Sequence, residues 1–148
     1  MRRSMLALPL LVGACVQQPE LVAPAREPLL VEAPFETTWN AIIDHFAERN
    51  LPIANMDKAS GFIATAELPI HEVHYEWADC GIVMGIRQPP NGATYNVVAR
   101  PQGETRTTLK ITTLWEVHTE GLRCVSKGRW EQEAEAAIAE AAVRARAK

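Results

Sequence analysis

Residues 34–67 read PFETTWNAIIDHFAERNLPIANMDKASGFIATAE, and the order helix, strand, tight turn, strand in this stretch decides how the rest of the chain must fold. Trp39, Ile42, Ile43, Phe46 and Ala47 recur at the i, i+3, i+4, i+7, i+8 spacing that gathers one apolar stripe on a helix. Glu36 and Thr37 stand near its start, where a side-chain oxygen caps free backbone N–H groups and an acid suits the positive end of the helix dipole. Asn50 suits the left-handed conformation that ends a helix, and Pro52 forbids continuation. Leu51, Ile53 and Asn55-Met56 then make a short strand. Asp57-Lys58-Ala59-Ser60-Gly61 has the composition of a turn, with Gly61 free to take positive φ. Phe62 to Glu67 reads as the return strand, Phe62, Ala64 and Ala66 alternating with Ile63, Thr65 and Glu67.

The chain beyond Glu67 reads as sheet built to cover that stripe. Val73 to Val83 continues the sheet, Pro89-Pro90-Asn91-Gly92 turns, Tyr95 to Arg100 is a strand, and Gln102-Gly103-Glu104 turns again. Thr107 to Thr119 carries the longest strand signal, with Leu109, Ile111, Thr113, Trp115 and Val117 on one face. Thr108, Lys110, Thr112, Glu116 and His118 take the other face, interrupted by Leu114. This is an antiparallel meander with one wet side. From Ser126 or Lys127 the chain turns helical, with an inner stripe of Trp130, Ala134, Ala137, Ile138 and Ala141 and a basic end at Arg144, Arg146 and Lys148. The expected class is α+β, in the order β-α-β-β-β-β-β-α, with a helix at each end of an antiparallel sheet.

Upstream, Met1-Arg2-Arg3-Ser4 is a basic start, Met5 to Val12 an apolar run, and Val12-Gly13-Ala14-Cys15 a small-residue close before a cysteine. The pattern reads as a bacterial secretory leader, too short to span a bilayer permanently. It resembles the lipobox of bacterial lipoproteins, which implies cutting before Cys15 and lipidation of Cys15, stable when two or more acyl chains are carried. The plainer alternative is a secretory leader with an unmodified Cys15. In lipoproteins of this type an aspartate after the cysteine tends to retain the protein in the inner membrane. Val16 stands there, so the resemblance implies the outer membrane, facing the periplasm. Residues 16–33 hold Pro19, Pro24 and Pro28 without a sustained period and read as a tether, ending in Leu29-Leu30-Val31 as a first strand. The expected organisation is leader 1–14, lipidated cysteine and tether 15–33, and one domain 34–148.

The 148 residues carry a formal charge of −3, and without Arg2 and Arg3 there remain 13 basic against 18 acidic side chains, a mature charge of −5. No run of like charge makes a phosphate-binding face, which argues against nucleic acid as a partner. With Cys15 taken by lipid, Cys80 and Cys124 form an even pair in an oxidising compartment, and a disulfide between them is expected to contribute roughly 4 kcal/mol. The alternative is two unpaired buried thiols. His71 and His74 make an H-x-x-H pair with His118 within conceivable reach, but a zinc site needs about four converging ligands and no second pair has metal spacing. Neither a metal nor another cofactor is therefore expected. His45 or His118 with Asp79 offers a base and an orienting group for a cysteine nucleophile, yet no nucleophile signature surrounds Cys80 or Cys124 and an enzyme is not expected. Asp44 with Glu48, and Glu131 with Glu133 and Glu135, read as solvated helix faces. Trp39, Trp115 and Trp130 fall on apolar stripes. Trp77, between Glu76 and Asp79, is the candidate to line an exposed groove, although cover over the core or the disulfide is the simpler role.

Trp39 opening a helix, followed by LPIANMDKASGFIAT, resembles the repeated domain of the BamC (NlpB) lipoprotein family, accessory lipoproteins of the machinery that assembles outer-membrane β-barrels. The matching positions are Trp39, Ile42, Ile43 and Phe46 on the helix, and Asp57, Ser60, Gly61, Phe62, Ile63 and Thr65 on the hairpin. Asp79-Cys80-Gly81 and Cys124-Val125-Ser126-Lys127-Gly128 also resemble small single-domain proteobacterial lipoproteins. The resemblance implies a sheet packed on a long C-terminal helix in a helix-grip manner. It further implies a non-catalytic interaction module, anchored through its N-terminal lipid, with envelope proteins such as β-barrel assembly components as partners. The second functional expectation is a carrier of a small apolar ligand or lipid, bound between the sheet and the Ala-rich C-terminal helix.

Overall fold

The strand signal near residue 110 organises the main sheet. The computed structural model describes residues 15–71 and 74–147, so the leader expected at 1–14 lies outside the described residues. In chain order the elements are β1 (Val16–Gln17), β2 (Leu29–Val31), α1 (Phe35–Glu48), β3 (Ile53–Asp57), β4 (Phe62–Thr65), β5 (Leu68–Pro69), β6 (Ala78–Asp79), β7 (Ile82–Val83), β8 (Ile86–Arg87), β9 (Gly92–Gln102), β10 (Arg106–Glu116), β11 (Val125–Ser126) and α2 (Arg129–Arg146). The main sheet is antiparallel, ordered β2-β10-β9-β4-β3, with β5 also paired to β9. Both helices pack on one face of it, so the domain is α+β in the helix-grip arrangement.

The β9–β10 pair is the centre of that sheet, and its register sets large side chains against small ones. Trp115 lies opposite Ala93, Leu109 opposite Ala99 and Ile111 opposite Val97. Ile42 and Phe46 of α1, Ile63 of β4, Val97, Leu109 and Ile111 of the sheet and Ile138 of α2 are all fully buried in one cluster. Burial of each such side chain contributes roughly 1.5–3 kcal/mol. The opposite face is wet, and Leu114 on it is exposed.

Helix α1 ends as its sequence requires. Asn50 takes φ 53°, Asn50 N donates to Ala47 O at 3.1 Å, and Leu51 N donates to Phe46 O at 2.8 Å. This pair of bonds is a Schellman motif. Its start differs from expectation: no side chain caps it, and Thr38 N donates to Pro34 O at 3.0 Å. The incoming chain is held instead by Thr107 Oγ1, which donates to Ala33 O at 2.9 Å. Its buried sector is Thr38, Trp39, Ala41, Ile42, His45 and Phe46, while Ala47 is exposed. The helix packs on α2 as well as on the sheet, which turns the covered sector toward 38, 41 and 45.

In the β3–β4 hairpin, Asp57 Oδ1 accepts from Ala59 N at 3.0 Å and Ser60 N at 3.3 Å, and Gly61 takes φ 64°. A Cβ on Gly61 would stand 1.9 Å from Ala99 O, so glycine here allows β9 to approach the turn.

Two expectations are corrected. The described residues of the segment 73–83 do not extend the main sheet. Positive φ at Gly81, Met84 and Gly85 breaks the chain there into β6, β7 and β8, of which β6 pairs with β11, and β7 pairs with β8 and β1. The segment 15–33 does not stand clear of the domain as a tether. Val16 and Gln17 pair with Val83 and Ile82, Arg26 reaches β10 and α2, and Leu29 to Val31 pair with Leu109 to Thr107 at the sheet edge. Its prolines keep it extended, and extended chain beside an open strand finds partners for its backbone.

Candidate functional site

Trp77 lines an open groove together with residues of the α1 terminus, β5 and the segment after it. Trp77 N donates to His74 O at 3.1 Å, and Lys127 N donates to Trp77 O at 2.9 Å. The Cys80–Cys124 disulfide, S–S 1.98 Å and 44 residues apart in sequence, joins the two segments, which also pair as β6 and β11. The rest of its lining comes from the α1 terminator, with Asn50 and Leu51, and from β5, with Leu68 and Pro69, followed by Ile70 whose N donates to Asn91 O at 2.7 Å. The groove measures about 360 Å³.

An aromatic series leads from its rim into the core. His74 stacks on Trp77 at 3.6 Å between centroids, Trp77 lies 5.8 Å from Trp115, Trp115 meets Tyr95 edge-on at 6.2 Å, and Tyr95 stacks on Trp130 at 3.8 Å. Trp77 is therefore both groove wall and core cover, half-buried and in contact with the deeper rings. Burial, reinforced by the negative charge of Glu131, pushes the Tyr95 hydroxyl up to about 12, so this buried residue of the groove lining stays protonated.

Of the α2 acids, Glu133 is exposed as expected, but Glu131 and Glu135 are not part of a solvated face. Glu131 and Glu135 are only 2% and 4% exposed, correcting their reading as surface charge. Glu135 Oε1 accepts from Ile111 N at 2.7 Å, and Arg26 bonds both to Glu135 Oε2 and, at 3.3 Å, to Ile111 O. Two side chains thus satisfy the β10 edge where β2 has ended. Glu131 Oε1 accepts from Ser126 Oγ at 2.6 Å, whereas its Oε2 finds no partner among the described residues. A second cavity, about 260 Å³, lies beside Glu131 under residues 23–26.

Burial raises the pKa of Glu135 above its ordinary value of 4.5, opposed by the Ile111 N–H and by Arg26. With the folded value raised, the associated stability is fully present below 4.5 and falls as pH rises through the folded value. Removing Arg26 takes away one counterweight. Arg26→Met is expected to lower stability by about 2 kcal/mol at neutral pH, a buried-pair loss discounted for residual exposure of the guanidinium, and by less near pH 4.5. Urea midpoints at the two pH values check this, and an equal loss at both contradicts it.

The remaining candidates do not converge. His45 lies in α1 facing α2, where burial and then Arg49 lower its pKa. Asp79 Oδ1 accepts from Gly81 N at 3.1 Å, and both Cys80 and Cys124 are taken by the disulfide. His71 and His74 share the Trp77 groove, where His74 Nδ1 contacts Glu76 Oε1 at 3.2 Å, while His118 is exposed two residues beyond the end of β10 and is not among the groove's lining residues. Among the described residues, no group of three or more His, Cys, Asp or Glu side chains is placed to hold a metal ion. Cys15 is free and exposed.

No family model matches the chain, and no curated protein matches it. Among solved structures, the Zhui aromatase/cyclase from Streptomyces sp. R1128 is similar at 15% identity over 79% of this chain and 84% of that chain, with a TM-score of 0.31. At that overlap nothing of the aromatase/cyclase's chemistry passes to this chain.

Proposed function

We propose that the chain is a lipid-anchored, non-catalytic interaction module of the bacterial envelope, held at Cys15, facing the periplasm, and contacting a partner protein through the Trp77 groove. The observation that carries this reading is a contrast in packing. Along its middle turns α2 is closely packed on the sheet, Trp130, Ala134, Ile138 and Ala142 being buried with Leu109 and Ile111, and the cavity of about 260 Å³ beside Glu131 is confined to its first turn. Leu68, Ile70 and Trp77, by contrast, remain half-buried around an open cleft. A half-exposed tryptophan braced from beneath by other rings has the character of an interface anchor. The lipobox resemblance supports the anchor, and the BamC-like pattern supports β-barrel assembly components as the partner class.

A second reading, carriage of a small apolar ligand, is favoured by the volume of the same groove, about 360 Å³, which falls in the range of ligand sites. Purification of the native protein from membranes, with mass spectrometry of co-purifying proteins and extracted small molecules, separates the two. The interaction reading expects an assembly component with the native protein and about tenfold less with Trp77→Ala. A stoichiometric lipid with no protein partner would replace it by the carrier reading.

A further inference from the structure

The hairpin β7–β8 has a tip that its backbone does not explain. Val83 pairs with Ile86, leaving Met84 and Gly85 as a two-residue connection, and both take positive φ, 49° and 80°. That is the geometry of a type I′ turn, whose first position favours Asn, Asp or Gly. Methionine in the left-handed region is disfavoured, and a non-glycine residue held there calls for a reason outside local folding. The side chain is not packed: Met84 is 75% exposed, Ile86 next to it 67%, and Val16 on the adjoining strand 44%. The sheet β8-β7-β1 thus gathers apolar side chains at one edge of the molecule.

The same edge carries Cys15. Met84 N donates to Cys15 O at 3.2 Å, and Val16 and Gln17, directly after it, pair with Val83 and Ile82. A chain anchored at Cys15 therefore has the Met84 tip beside its point of attachment. Next to the hairpin, Tyr75 donates its hydroxyl to Arg87 O at 3.3 Å while the Arg87 guanidinium lies 5.9 Å from the Tyr75 ring, a tyrosine and a cation being residue types favoured among lipid headgroups.

We infer that the β7–β8 hairpin is a membrane-docking finger: Met84 and Ile86 enter the phospholipid surface beside the acyl chains of Cys15 and hold the domain against the bilayer in one orientation. The inference rests on the anchoring reading above and adds a fixed orientation to it. Insertion of Met84 and Ile86 removes apolar surface from water, the term that also drives their neighbouring acyl chains into the bilayer.

The test uses the chain from Cys15 onward, which holds every described element, alkylated at that free thiol with one tetradecyl chain so that vesicle binding is reversible. Partition to phosphatidylethanolamine–phosphatidylglycerol vesicles is measured by sedimentation. Met84→Asn together with Ile86→Asn is expected to weaken partition by about tenfold, and Met84→Asn alone to leave the melting temperature unchanged or raised, because asparagine fits the turn. Lys58→Asn at the β3–β4 turn serves as the control. Equal partition of the native and doubly substituted proteins would overturn the inference. The mass of the N-terminal peptide of protein taken from cell membranes tests the anchor separately. An unmodified Cys15 would refute the anchoring reading without altering what the vesicles report about the hairpin.

Discussion

Trp130→Ala is expected to destabilise the domain by about 3–5 kcal/mol, the usual range for truncating a buried tryptophan. Trp130 is 5% exposed and its ring lies flat on Tyr95, 3.8 Å away with 10° between planes. The side chains next along its face of α2, Ala134 and Ile138, are fixed by close packing and do not extend into the space it leaves. Tyr95 would lose one stacking face while keeping its edge contact with Trp115. Trp130→Phe retains an aromatic face and is expected to recover most of the loss. Urea unfolding followed by far-ultraviolet circular dichroism measures both variants. An unchanged midpoint for Trp130→Ala would mean that α2 is not seated as described.

Loss of the Cys80–Cys124 disulfide has a comparable expected effect, about 4 kcal/mol from the entropy returned to the unfolded chain. Cys80→Ala with Cys124→Ala is the variant to use, since an alanine suits the fully buried Cys80 position. The consequence has a direction in space as well as a size. The disulfide and the two-residue pairing of β6 with β11 hold the Trp77 segment, so amides of residues 74–88 should exchange faster by a larger factor than those of β9 and β10. Unchanged urea midpoints with and without reductant would contradict this account of the bridge.

The periodic parts of the fold are legible in the sequence because one principle governs each. A 3.6-residue stripe ending at Asn50 and Pro52 marks α1, alternation marks β10, and a turn composition marks the hairpin closed by Gly61. The buried acids are not legible, since charge on a helix ordinarily faces water. Their signal is faint: Glu131 and Glu135 are four residues apart and directly follow Trp130 and Ala134, so a covered sector only one residue wider encloses them. Glu135 is compensated by Arg26, distant in sequence by 109 residues and placed in a segment that reads as tether, and Glu131 by Ser126 Oγ. The segment 74–88 misleads for a different reason: its apolar residues look like strand, but positive φ at Gly81, Met84 and Gly85 depends on tertiary placement. Trp77 stands out in the sequence by its charged flanks, whereas the groove around it draws on Asn50, Leu68 and Ile70, which no local pattern connects to it.

The most direct measurement of the interaction reading is a photoreactive amino acid placed at Pro69, an exposed position on the groove rim, in living cells, with exposed Val143 on α2 as the comparison position. The account predicts one discrete protein adduct at 69 that disappears with Trp77→Ala and is absent at 143. An adduct at 143 and none at 69, or one at 69 indifferent to Trp77, would place the working surface elsewhere and contradict it.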